Sequence, residues 1–269
     1  MSNDLVQVDR PIEGVVRLSL NRPEALNAFT FDMYTQLIAC LRALRNDAEA
    51  RVVILTGRGR GFCSGHDLRI DGHAPWIDER VGRLHYKKFF MAEVSQIPLL
   101  MRSLPQPVIC AVNGPAAGVG FALALAADLL LCARSAKFIN AIHNAATGHE
   151  FGLSYLLPRI VGAQRAAEIL YTARPVSSDE AERIGLVLRA VDDALLMDAS
   201  LELARSIIVN VPMGVWMTKQ SLVFNQSAGS LEAAIEMENR AVIVSQTTAD
   251  ASEKMQAFFE RRAPRFEQK

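Results

Sequence analysis

Apolar residues along the chain fall into two regimes. In the first two-thirds, short runs of branched and aliphatic residues at 15–20, 52–56, 108–112 and 129–132 are bounded by turn residues, the pattern of buried strands. Between them, Met33, Leu37, Leu41 and Leu44 recur at helical spacing within 31–45, and 81–102 reads as a second long helix interrupted at Pro98. Helices following strands give an α/β chain. After about residue 201 the strand signals fade, and 201–209, 214–223, 231–244 and 251–259 read as consecutive helices. The expected organisation is a core over residues 1–200 and a helical region over 201–269, with no Gly/Ser- or Pro-rich linker between them. The apolar stretch 116–127, which stops at Asp128, is too short for a bilayer span of about 20 residues and reads as a buried helix.

The chain has 269 residues, of which 50% are hydrophobic and 22% charged, enough apolar material for one large domain or a domain with an appendage. Lys and Arg number 29 and Asp and Glu 29, so no net field draws the protein onto nucleic acid or anionic lipid. A basic patch around a phosphate-bearing ligand stays open. Cys40, Cys63, Cys110 and Cys132 are widely spaced, without a CxxC pair or finger-spaced histidines, so structural zinc is not expected. The N-terminal residues show neither a secretory nor a transit pattern, and the expected location is the cytoplasm with reduced thiols.

Two glycine-rich segments carry the candidate chemistry. Residues 52–68 run from an apolar strand through Gly57, Gly59, Gly61 and Gly65, a density that lets backbone amides approach a ligand. A dinucleotide fingerprint fails, because Phe62 stands where its third glycine belongs, and a phosphate loop fails for want of Gly-Lys-Ser/Thr. A mobile surface loop is the plain alternative. Residues 108–128 read as a strand, a turn, and a helix whose start is flanked by Gly118 and Gly120, with the Val119 amide free to face a ligand. If the His66 amide meets it, two donors converge on one oxygen; otherwise the small residues serve close helix packing.

Phe62-Cys-Ser-Gly-His-Asp-Leu68 and Asn113-Gly-Pro-Ala-Ala-Gly-Val-Gly120 resemble the two signatures of the enoyl-CoA hydratase/isomerase (crotonase) superfamily. Segments 20–28, 155–162 and 259–266 extend the resemblance over essentially the whole chain. It implies a spiral of ββα units followed by C-terminal helices that build homotrimers or homohexamers. It also implies an acyl-CoA thioester substrate whose oxygen is bound by the His66 and Val119 amides, with no metal or redox cofactor. Arg22, Ala25, Leu26, Ser64, Gly65, Asp67, Leu68 and Gly118 fall at substrate- and CoA-binding positions.

Prototypical hydratases of the superfamily carry two glutamates that activate water. Here the matching positions are Ala122 and Ile142, neither of which can move a proton. Glu150 lies where some dienoyl-CoA isomerases and aryl-CoA dehalogenases carry an aspartate, and it is the candidate acid/base, with His143 and His149 as auxiliaries. Asp67 is expected to order its loop or cap a helix, and Cys63 to be packed and inert. Residues 71–88, with His73, Trp76, His85 and Tyr86, are expected to cover the acyl pocket and to suit a bulky, ring-bearing or oxygenated acyl group. The expected activity is of enoyl-CoA hydratase type. Isomerisation, hydrolysis or dehalogenation, and non-catalytic acyl-CoA binding are the alternatives.

Overall fold

The computed structural model describes residues 4–70, 72–141 and 150–267. Strands β1 (Val6–Ile12) and β2 (Val15–Leu20) form an antiparallel hairpin, and β3 (Val52–Gly57), β4 (Val108–Val112), β6 (Leu129–Ala133) and β9 (Arg189–Val191) continue from β2 in parallel. The resulting six-stranded sheet has the order β1-β2-β3-β4-β6-β9. A smaller sheet pairs β5 (Ala116–Ala117) parallel to β7 (Lys137–Ile139) and β7 antiparallel to β8 (Val176–Ser177).

The central strands read as unbroken apolar runs because both of their faces are covered. Val53 and Leu55 of β3 enter the main core, while Val52 and Ile54 point to a second cluster. The main core receives α1 (Phe31–Leu44), whose Thr30 hydroxyl accepts from the Met33 amide and whose inward stripe is Met33, Tyr34, Leu37, Ile38, Leu41 and Leu44. The other face is closed by α8 (Leu196–Ile208), with Leu196 and Ala204 buried on it. This helix runs across the 200/201 boundary expected from the sequence.

Two helix readings change. The long second helix divides into α2 (Arg83–Val94) and α3 (Gln96–Ser103) at Ser95, not at Pro98. Pro98 falls in the first turn of α3, where a missing amide proton costs no intrahelical bond. The stretch 116–127 is not one helix: it begins as β5, turns at Gly118 with φ +53, and only then becomes α4 (Val119–Leu125), buried at every position. The turn is held by Ala117 N donating to Cys63 O at 2.8 Å and Gly118 N to Ile139 O at 3.0 Å.

Helices α5 (Leu153–Val161), α6 (Ala163–Thr172) and α7 (Ser178–Arg183) pack around the small sheet. They are followed beyond α8 by α9 (Pro212–Asn225), α10 (Leu231–Gln246) and α11 (Ala249–Phe259). Lys219 pins α9 to the core: its Nζ donates to Met101 O, Gln106 O and Asp128 Oδ2 at 2.8, 2.9 and 2.8 Å. Burial pulls its ammonium below the usual lysine range, against the opposing pull of Asp128. By contrast, α10 has no buried residue and exposes Leu231, Ile235, Val242 and Ile243. No helix among the described residues is long and apolar enough to cross a membrane.

Candidate active site

The glycine-rich segment after β3 is braced, not mobile. Asn27, fully buried, donates through Nδ2 to the carbonyls of Arg58, Gly61 and Phe62 at 3.0, 2.9 and 3.1 Å. Asn113 donates to Gly59 O and Gly61 O at 2.9 and 3.3 Å and accepts from Gly57 N at 3.0 Å. The amides of Phe62 and Cys63 both donate to Pro115 O, joining the two signatures. Close packing also explains two glycines: a Cβ at Gly114 would stand 2.2 Å from Arg60 O, and one at Gly120 would stand 2.2 Å from Cys63 O.

This brace sets two amides beside each other. Gly65 has φ +102, and a Cβ there would lie 3.7 Å from Val119 N and 3.0 Å from Ala117 O. Phe29 N donates to Gly65 O at 2.8 Å and Asp67 N donates to Phe29 O at 3.0 Å, so the His66 amide between them faces the other side of the segment. Among the described residues, neither His66 N–H nor Val119 N–H has an acceptor.

The residues expected at the CoA side are knit around this pair. Ser64 N donates to Leu26 O at 3.0 Å and Ser64 Oγ to Ala25 O at 3.1 Å. Arg22 Nη1 reaches Asp67 Oδ2 at 2.7 Å and Ala28 O at 3.2 Å, so its guanidinium is already engaged in the loop. Asp67 also accepts from the Arg69 amide and Nε, and the Arg69 and Arg22 guanidiniums hold its carboxyl well below the usual range. It orders the loop, and no helix follows it for the carboxylate to cap. Leu68 is exposed. Arg58 is turned to Gln7 Oε1 at 3.0 Å. Cys63 is buried, its thiol pushed up to about 12, and is no nucleophile at neutral pH.

On the opposite side lies an aromatic cluster. The His66 imidazole does not point away: its Nδ1 is 3.4 Å from the Tyr34 hydroxyl, and its ring lies 5.6 Å from Phe90 and 6.4 Å from Phe31. Trp76 stacks on Phe90 at 6.2 Å, and Tyr86 does so at 6.3 Å. His73 and His85 are exposed, His73 packing edge-on against Tyr86 at 4.6 Å and His85 lying 6.2 Å from Phe89, at the outer side of the cluster. Glu150 is half-buried, and desolvation raises its carboxyl above the usual glutamate range. Its charge also raises the Tyr34 phenol, behind the larger effect of burial. The next residue, Phe151, is buried with φ +56, a conformation rare for a bulky side chain, and its ring lies 6.4 Å from Tyr34. Ala122 is fully buried one turn into α4 and offers no carboxylate. Ile142, His143 and His149 lie outside the described residues.

The family model described as enoyl-CoA hydratase/isomerase matches residues 11–269. The chain belongs to this enoyl-CoA hydratase/isomerase family. A probable enoyl-CoA hydratase of Mycobacterium bovis is 44% identical over 264 residues, 97% of this chain and 92% of the relative. A 1,2-epoxyphenylacetyl-CoA isomerase of Escherichia coli is 36% identical, over 94% and 95% of the two chains. The crystal structure of a probable enoyl-CoA hydratase/isomerase from Mycobacterium abscessus matches with TM-score 0.90 at 36% identity, covering 98% of each chain. The α/β architecture with C-terminal helices is that of the crotonase fold.

Several residues of this family member's site escape a reading of its sequence. Asn27 and Asn113 stand inside quoted segments, yet nothing in the spacing says which carbonyls they hold. Tyr34 reads as one more core position of α1, and its polar tip becomes meaningful only opposite His66. Phe31 and Phe90 carry no signal beyond helical apolarity.

Proposed function

We propose that the protein transforms an acyl-CoA thioester through an enolate, with the His66 and Val119 amides binding the thioester oxygen and Glu150 moving the proton. The observation that carries this reading is the adjacent pair of amides without an acceptor among the described residues, built on a braced backbone that need not rearrange as negative charge develops. A donor of that kind is worth about 3 kcal/mol in related acyl-transfer sites. Burial raises the Glu150 carboxyl above the usual glutamate range, the direction that strengthens it as a base.

Isomerisation is the reaction this arrangement supports best. Moving a double bond needs one base that removes a proton from one carbon and returns it to another, whereas hydration must also direct a water. With Ala122 in place of one hydratase glutamate, Glu150 is the carboxylate assigned the proton transfer, and no ion pair ties it to a described arginine. Hydration, first by sequence resemblance, is the second reading, supported by the name of the 44%-identical relative. Gly65, Gly118, Ala25, Leu26, Ser64 and Leu68 shape the CoA side of the site in this account, and Arg22 acts by holding Asp67. Residues 201–269 serve assembly into homotrimers or homohexamers, which the bare apolar surface of α10 supports.

The test is turnover of a panel of enoyl-CoA thioesters in oxygen-18 water, followed by mass spectrometry. Double-bond migration without label supports isomerisation; product carrying the label supports hydration; binding of acyl-CoA with no turnover across the panel contradicts the enzymatic reading.

A further inference from the structure

The His66 ring meets a buried hydroxyl at Nδ1. Tyr34 is 1% exposed, and its hydroxyl has one partner among the described residues, His66 Nδ1 at 3.4 Å. A buried phenolic O–H needs an acceptor, and Nδ1 can accept only as a bare lone pair, so the imidazole proton belongs on Nε2. Burial and Lys87 on α2 oppose an imidazolium, against the pull of the neighbouring Asp67, which keeps the ring neutral. Among the described residues, Glu150 and Cys63 also act on the Tyr34 phenol. Nε2 is not among the sealed polar atoms that lack a partner, and no described residue accepts from it. The ring belongs to the same residue as the proposed thioester-binding amide, and Phe31, Phe90 and then Trp76 surround it.

Resting on the thioester reading above, we propose that His66 Nε2–H, held in that tautomer by Tyr34, is a specificity-determining donor to the acyl group. The preferred substrate is then an acyl-CoA thioester whose acyl part carries an oxygen acceptor on a ring near the thioester. The aromatic surround suits a flat ring. An acyl group without the oxygen leaves the imidazole N–H desolvated and unpaired, which is a stronger basis for rejection than a small change of apolar bulk.

The test uses saturated acyl-CoA thioesters, whose binding requires no proton transfer: tetrahydropyranylacetyl-CoA against cyclohexylacetyl-CoA, with butanoyl-CoA as a third ligand. Calorimetry on the wild-type protein is expected to give a Kd about tenfold lower for the ring ether than for the carbocycle, the scale of one hydrogen bond. In Tyr34→Phe and in His66→Leu, whose backbone amide is retained, that ratio falls to about twofold or less, the loss of one hydrogen bond. Nitrogen-15 NMR of the wild-type imidazole is expected to show the Nε2–H tautomer, a signature independent of how either variant folds. Equal affinities, a ratio unchanged in the variants, or the Nδ1–H tautomer would overturn the proposal. Failure to bind any of the three thioesters would overturn the thioester reading along with it, whereas a preserved ether preference in a protein that turns over no enoyl-CoA would break only the catalytic reading.

Discussion

The two walls of the site are built by different means. The oxyanion wall is backbone held by backbone and by two asparagines, Asn27 buried and Asn113 partly so, with glycines where any side chain would strike a carbonyl. The acyl wall is side chain against side chain: rings from α1 and α2 and from the segment around Trp76, on a helix that buries Val94 alone. A rigid wall suits a function common to many reactions, the binding of charge on a thioester oxygen. A wall of packed rings can change its residues without disturbing that geometry, and it sets which acyl group enters.

The comparison can be broken at its strongest point first. Gly120→Ala puts a methyl against Cys63 O, backbone against backbone, and is expected to cost about 4 kcal/mol or more, read as a lost or sharply lowered urea midpoint. A normal transition would show that the brace yields. Asn27→Ala removes the two N–H donors shared among the Arg58, Gly61 and Phe62 carbonyls and the Oδ1 acceptor of the Arg22 amide, and is expected to cost about 3 kcal/mol, at roughly 1 kcal/mol for each hydrogen bond. It should slow turnover together with the loss of stability.

On the acyl side the effects are smaller and largely kinetic. Because burial raises the Glu150 carboxyl, the base is lost to protonation at a higher pH than an ordinary glutamate would be. The acid limb of kcat/KM should therefore lie above the usual glutamate range and fall about tenfold per pH unit below it. An acid limb at or below that range would remove Glu150 from the role. Phe90→Leu keeps apolar bulk but loses ring contacts with Trp76, Tyr34 and His66. It is expected to cost about 1 kcal/mol of stability for the lost aromatic pairing, read as a small drop in the urea midpoint, and to raise KM while kcat changes less.

Legibility in the sequence follows the same division. Strands β2, β3 and β4 show plainly because two-sided burial makes continuous apolar runs, and α1 shows because its stripe is regular. Strands β5, β7 and β8, of two or three residues, are too short to carry a period, and β1 reads poorly because its inner residues are polar and it ends next to Pro11. The glycine segments announce close approach without naming what approaches. Gly65 and Gly118 do so across the site, while Gly114 and Gly120 do so against carbonyls. The proline at 98 misleads because its effect depends on the turn it occupies. The position of Glu150 could be singled out from one dimension, but Tyr34 comes from a distant segment and no local pattern joins it to Glu150 and Phe151.

The central claim, that two backbone amides and Glu150 make and unmake a thioester enolate, is tested most directly by solvent exchange. Butanoyl-CoA is incubated in deuterium oxide with the protein and with Glu150→Gln, and uptake of deuterium at the carbon beside the thioester is followed by mass spectrometry. The account predicts exchange by the wild-type protein and a rate at least about 100-fold lower in the variant, the scale of a lost general base. Equal exchange by the two proteins, or none by either while both bind the thioester, would contradict it.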